Sequence, residues 1–272
     1  MSTPNMLCDL DDLGVLSVHG ADAIGFLQGQ LSQDVTRLDA RHARYAGLHT
    51  PQGRVIAILQ LLPGEAGAVH CIAPRELIAP VAATLRRYVL RAKVRLDDDS
   101  DSLYVTGVVD GGTRALRIGT SRAGATATLT RDAWRALDIE AGLPQVYAAT
   151  SGEFVAQMLN LDCVGGIAFD KGCYTGQEII ARAHYRGRVK RRMQRFRTRA
   201  APAIVLGPGV AASLTDARAC QIVDAVTLAD GWVEFLAVAP LVAPETALET
   251  TPGESAARLD AEALPLPYGL PD

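Results

Sequence analysis

A single basic strip divides the chain into two textures. Residues 182–199 hold nine arginines and lysines and no acidic residue. The strip overlaps the stretch KGCYTGQEIIARAHYRGRVKRR, from Lys171 to Arg192. Ahead of it, apolar runs of strand character alternate with segments of helical period. Beyond it, residues 203–239 carry short apolar runs broken by GPG, TDAR and ADG, the pattern of a small all-β unit. That order excludes one regular βαβ series and predicts α+β layers followed by a β unit. At ~150 residues per domain, a chain of 272 residues has room for about two.

Local patterns fill in the first part. LGVLSVHG reads as a strand ending at Gly20, and Ile24, Leu27 and Leu31 follow at helical spacing. TPQG, Thr50–Gly53, has the Pro and Gly placement of a type I turn and leads into an apolar strand over 54–62. Leu77, Val81, Leu85 and Val89 predict an amphipathic helix that starts close to Pro80. Strands over 103–109 and 114–119 flank VDGG, a hairpin turn. RDAWRALDIEAGLP predicts a helix stopped by Gly142 and Pro144.

The net charge of −3 argues against a protein built to coat nucleic acid. The five cysteines, Cys8, Cys71, Cys163, Cys173 and Cys220, are odd in number and show no C-x-x-C spacing. A disulfide framework or a closed structural metal site is not expected. No basic-then-apolar leader opens the chain, and no apolar run reaches the ~20 residues that span a bilayer. The expectation is a soluble cytoplasmic protein with no membrane partner.

Within the Lys171–Arg192 stretch, TGQE has the form of a capping box, with Thr175 as N-cap and Glu178 reaching back. The helix it opens is expected to close at a left-handed Gly187. Cys173 would then face a helix N-terminus with Lys171 nearby, conditions that favour thiolate over thiol. Local chemistry leaves two readings open: a small cysteine fitted to a glycine turn, or a functional thiol. The arginines are likewise either a solvated basic face or an anion site. Direct RNA binding is not expected, because only Tyr185 and Phe196 are available to stack on bases.

The same residues carry a resemblance. The segment from Asn160 to Met193 closely resembles the signature of the YgfZ family, folate-binding proteins related to the T-protein (aminomethyltransferase) of the glycine cleavage system. Its K-G-C-Y-x-G-Q-E core is matched at Lys171, Gly172, Cys173, Tyr174, Gly176, Gln177 and Glu178, with Thr175 at the free position. FLQGQLSQDV, PQGR and LPLPYGL resemble other family segments, so the likeness covers nearly the whole chain.

The resemblance implies an α+β fold, a three-lobed aminomethyltransferase-like ring of two interleaved α+β domains plus a C-terminal β-barrel. Residues 1–45 and 111–190 would form the first, folate-binding lobe and 46–110 the second. Residues 191–245 would form the barrel and 246–272 a Pro/Ala-rich tail packed back on the body. The implied cofactor is tetrahydrofolate or a one-carbon derivative, bound centrally with an exposed Cys173 beside it. DIEAGLP resembles the pterin-holding segment of the T-protein relatives, which makes Glu140 the expected pterin anchor. Asp138 stands where that segment has Arg. Lys171 and Arg182 are placed to meet the glutamate tail, and Gln177 either contacts ligand or is a first-turn surface residue. The relatives' catalytic acids fall on Ala57 and Ile58 here, which can neither donate nor accept a proton; glycine-cleavage aminomethyl transfer is therefore not expected. The family association points to assembly or repair of iron–sulfur enzymes, tRNA-modifying ones included, with such client proteins or the assembly machinery as partners. The alternative is a folate-dependent one-carbon transferase.

Overall fold

Antiparallel pairing organises most of the chain. The computed structural model describes residues 5–39, 42–187, 189–199, 205–242 and 257–271. Its strands before the basic strip are β1 (Met6–Asp9), β2 (Leu13–His19), β3 (Arg44–His49), β4 (Val55–Pro63), β5 (Val69–Pro74), β6 (Arg95–Asp98), β7 (Tyr104–Asp110) and β8 (Thr113–Gly119). The later ones are β9 (Arg191–Arg199), β10 (Ala211–Ser213), β11 (Ala219–Thr227), β12 (Trp232–Pro240), β13 (Ala257–Arg258) and β14 (Ala261–Leu264). The α-helices are α1 (Ala23–Gln28), α2 (Arg75–Arg86), α3 (Arg131–Glu140) and α4 (Gln177–Arg186).

Three sheets result. One has the order β3-β4-β5-β2-β6, a second β1-β7-β8, and the third β13-β10-β11-β12-β9-β14. The expected α+β class holds, with the all-β unit after the basic strip. Strand pairing groups the chain differently from cuts at residues 45 and 110. β2 and β3 share a sheet with β4, β5 and β6, and the hairpin between β7 and β8 bridges the second cut. Of the tail, residues 246–256 lie outside the described residues, while β13 and β14 form the two edges of the third sheet.

α2 packs on the five-stranded sheet through Leu77, Ile78, Val81, Ala82 and Leu85, all buried. It begins at Arg75, five residues before Pro80 rather than beside it. Pro80 sits on the exposed face, where water can satisfy the carbonyl that its missing N–H leaves free. α1 is shorter than its pattern predicts: the chain leaves the helix after Gln28 so that Leu31 can bridge to Leu48. Leu27 and Leu31 are buried as expected, whereas Ile24 is exposed.

The β9 arginines belong to the fold. Arg195 pairs with Glu234 on β12 at 2.6 Å, and Arg197 with Glu262 on β14 at 2.7 Å. Arg199 lies 4.0 Å from the Trp232 ring centroid. Arg192 is buried and donates to both oxygens of buried Asp162, at 3.0 and 2.9 Å, tying the third sheet to the segment ahead of α4. Acidic partners neutralise Arg192, Arg195 and Arg197, so these three cations are committed within the fold. Among the described residues no helix is long and apolar enough to cross a membrane.

Candidate functional site

A cleft with about 790 Å³ of space, open solvent included, lies between the five-stranded sheet, the third sheet and α3. Leu10 and Asp12 reach it from the link between β1 and β2, Leu13 from the start of β2, Tyr45 from β3, Gln60 from β4 and Asp224 from β11. α3 and the extended segment after it supply the remaining wall, including Trp134, Arg135, Asp138 and Tyr147. A second pocket of about 570 Å³ adjoins it and shares Tyr45, Gln60, Trp134, Asp138 and Leu143.

α3 positions the key groups. Thr130 caps it by accepting from the Ala133 N–H at 3.2 Å, and Trp134 buries one face against the three-stranded sheet. One turn after Trp134, Asp138 is directed to the cavity; Arg114 of β8 donates to its Oδ1 at 2.6 Å. Burial pushes the Asp138 carboxyl up to about 6, against the pull of Arg114. Asp224 is 4% exposed, forms an ion pair with Arg135 and accepts from the Tyr147 hydroxyl at 3.0 Å. Burial raises its pKa as well, with Arg135 working in the opposite direction. Burial also pushes the Tyr45 and Tyr147 phenols up, so both are neutral donors at physiological pH. The wall therefore offers carboxylate acceptors, phenol and amide hydrogen-bonding groups, and aromatic surface. Such a set suits a planar, donor-rich heteroaromatic head.

Glu140, the expected anchor, is exposed at the last residue of α3 and is not among the residues lining this cleft. Two residues on a helix point ~200° apart, so the carboxylate that reaches the cleft is Asp138. Sequence reasoning passed over Asp138, Asp224, Tyr45, Tyr147 and Gln60. The available signal was a lone acid inside the apolar run QIVDAV, since an unpaired carboxylate is rarely buried there.

The loop bearing Cys173 forms a second locus. The thiol is exposed, and Tyr174 behind it is buried. Lys171 donates to three backbone carbonyls, those of Gln28 at 2.8 Å, Leu31 at 2.6 Å and Gln33 at 2.8 Å. Burial lowers its pKa to about 8, with Asp34 helping to retain the proton. Its ammonium is thus directed into the fold rather than toward a ligand tail. The capping box does not form: Thr175 hydrogen-bonds to Gln30 at 3.3 Å, and the N-cap is Gly176. Gly176 has φ +82°, and a Cβ there would lie 2.6 Å from the Thr50 carbonyl. Gly53 of the TPQG turn, φ +74°, is packed against Ile179 in the same joint. Two motifs whose glycines are 123 residues apart therefore meet in a single glycine–glycine contact. Gly172 meets no such restriction, Gly187 is extended rather than left-handed, and Gln177 is half-buried with Glu178 exposed in the first turn of α4.

Tyr45 and Gln60 pair at the cleft end of the β3–β4 ladder, whereas His49 and Thr50 contact the Cys173 loop at the other. Four strand residues, ~14 Å, separate the ends. Cys173 is therefore not beside the cleft, and the Lys171 and Gly176 contacts fix it where it is. Beneath it His49 is 1% exposed, and neither ring nitrogen has a hydrogen-bond partner among the described residues. Burial lowers its pKa to about 4. Arg182 is exposed and lines a shallow groove on the outer face of α4 with Glu178, Ala181, Tyr185 and Arg186. Ala57 and Ile58 are fully buried in the main core, so hydrocarbon fills the positions matched to the relatives' catalytic acids.

The fold is shared with the aminomethyltransferases. Aminomethyltransferase T of the glycine cleavage system from Bartonella henselae superposes with a TM-score of 0.65, covering 87% of this chain and 78% of that one at 12% identity. No family model matches the sequence. The tRNA-modifying protein YgfZ of Enterobacter sp. (strain 638) is 31% identical over 69% of this chain and 70% of its own. That of Escherichia coli O157:H7 is 33% identical over the same shares, and that of Escherichia coli O45:K1 is 29% identical over 98% of this chain and 94% of its own. The chain belongs to the YgfZ family.

Proposed function

We propose that the protein binds tetrahydrofolate or a one-carbon derivative in the central cleft and acts as an accessory factor in assembly or repair of iron–sulfur enzymes, including tRNA-modifying ones. The observation that carries this reading is the Asp138 carboxylate, set among Tyr45, Gln60 and Trp134 in the cleft. A pterin edge presents N–H donors that such a carboxylate accepts, and the aromatic walls suit its plane. The residues present thus fit the group. The curated relatives' name, tRNA-modifying protein, supports a tie to tRNA modification.

Cys173 serves as a functional thiol that meets a partner protein, because its loop is exposed and held apart from the cleft. Arg182 belongs to the same outward surface and is assigned to partner contact rather than to the folate tail. Lys171, Tyr174 and Gly176 hold that surface in place. The raised pKa of Asp138 is the one feature that favours the second reading, a one-carbon transferase, since a carboxyl near neutrality can exchange a proton.

Two measurements test the proposal. Cys173→Ser is expected to keep the fold and the tetrahydrofolate affinity, yet fail to restore iron–sulfur enzyme activity in a deletion strain; full rescue would remove the thiol from the mechanism. Consumption of methylene- or methyl-tetrahydrofolate by the purified protein, lost in Asp138→Asn, would establish the transferase instead.

A further inference from the structure

The charges around the cleft do not balance. Four carboxylates line it, Asp12, Asp132, Asp138 and Asp224, against two guanidiniums, Arg131 and Arg135. Both cations are engaged: Arg135 with Asp224, and Arg131 with Asp11 at 3.1 Å, an acid it shares with Arg122 at 3.6 Å. Arg114, in the adjoining pocket, is engaged by Asp138. Asp12 and Asp132 are exposed at the rim, and neither side chain has a hydrogen bond or ion pair among the described residues. Among the described residues, two lining carboxylates are thus left over and no lining cation is free. The Trp134 and Tyr147 rings already carry Arg114 and Arg135, each 5.4 Å from the ring centroid, so the discrimination rests on the rim carboxylates.

This pattern bears on which folate the cleft prefers. Folates share a donor-rich pterin and an anionic tail, but differ in the charge carried by the bridge between N5 and N10. The bridge is neutral in the formyl form and a delocalised amidinium cation in the methenyl form. We infer that the cleft discriminates among reduced folates by charge and binds the cationic methenyl form more tightly than its neutral formyl counterpart. The inference rests on the folate reading of the same cleft. A cation held near two unpaired rim carboxylates gains Coulomb energy that its neutral counterpart does not, at separations within a Debye length. The tail carboxylates, finding no free cation in the wall, lie toward solvent and contribute equally to both.

The test is a paired titration at a pH just above the Asp138 pKa. Freshly prepared methenyl-tetrahydrofolate and N5-formyl-tetrahydrofolate are each added to the full chain, with absorbance confirming that the methenyl form is intact. The expected result is a preference of about tenfold for the methenyl form, on the scale of one or two partly screened charge contacts. The preference should shrink to about threefold or less in the Asp12→Asn/Asp132→Asn double variant and on raising the salt with wild-type protein. The salt arm stands even if the variant misfolds. Equal affinities, or a tighter formyl complex, would overturn the inference and leave the folate reading intact. Failure of both ligands to bind would overturn the folate reading itself, and with it this one.

Discussion

Replacing Lys171 with methionine keeps the aliphatic stem and removes the ammonium that joins the Cys173 loop to the segment after α1. Three carbonyls, of Gln28, Leu31 and Gln33, then lose their donor. At roughly 1 kcal/mol net per hydrogen bond, the loss is about 3 kcal/mol. Part of it is recovered because the buried charge disappears: burial already lowers the Lys171 pKa to about 8, which shows that the site opposes the ammonium. The expected net destabilisation is therefore about 2 kcal/mol, read by urea unfolding. Lys171→Arg should not rescue it, because a planar guanidinium cannot aim at three carbonyls that converge on one point. Hydrogen exchange should accelerate in 28–33 and 171–176 together, and more slowly elsewhere. An unfolding free energy within ~0.5 kcal/mol of wild type, with unchanged exchange in both segments, would refute the idea that this lysine is a staple.

Two further outcomes follow from the same structure. His49 is buried, and its folded pKa of about 4 lies below the unfolded value, so the unfolded chain binds the extra proton; its contribution to stability is intact above ~6.5 and is lost as the pH falls toward 4. Between about pH 7 and about pH 5 the wild type should lose about 2 kcal/mol relative to His49→Phe, and parallel pH profiles would contradict this. Asp162→Asn leaves the buried Arg192 unpaired and should cost about 3–5 kcal/mol in urea unfolding, whereas a loss under ~1 kcal/mol would show that the pair is not held as described.

Much of the fold was legible because local signals and tertiary context agreed. The Asp-Gly hairpin between β7 and β8, the apolar stripe of α2 and the Gly142 stop after α3 each need only neighbouring residues. What could not be read was non-local. TGQE satisfies the rules of a capping box, but docking of Gly176 onto Thr50 and Gly53 overrides them. The arginines of β9 looked like an exposed strip because their acids, Asp162, Glu234 and Glu262, arrive from other strands and loops. Part of the Pro/Ala-rich tail joins a sheet because β9 and β10 offer it open edges, a property of those strands rather than of the tail. The site was legible as a short segment and not as a residue. DIEAG carries two carboxylates, and only the helix phase set by Trp134 in the core decides that Asp138 faces the cleft.

That decision is also where the account is most directly tested. Calorimetric titration of tetrahydrofolate into the wild type, Asp138→Asn and Glu140→Ala compares the two carboxylates in one experiment. Loss of the Asp138 acceptor should weaken binding by about 1–3 kcal/mol, roughly five- to 150-fold, while Glu140→Ala stays within about twofold. Wild-type affinity should fall as the pH drops through about 6, where Asp138 takes up its proton and ceases to accept. Binding that is lost in Glu140→Ala and unchanged in Asp138→Asn would contradict the assignment of the cleft.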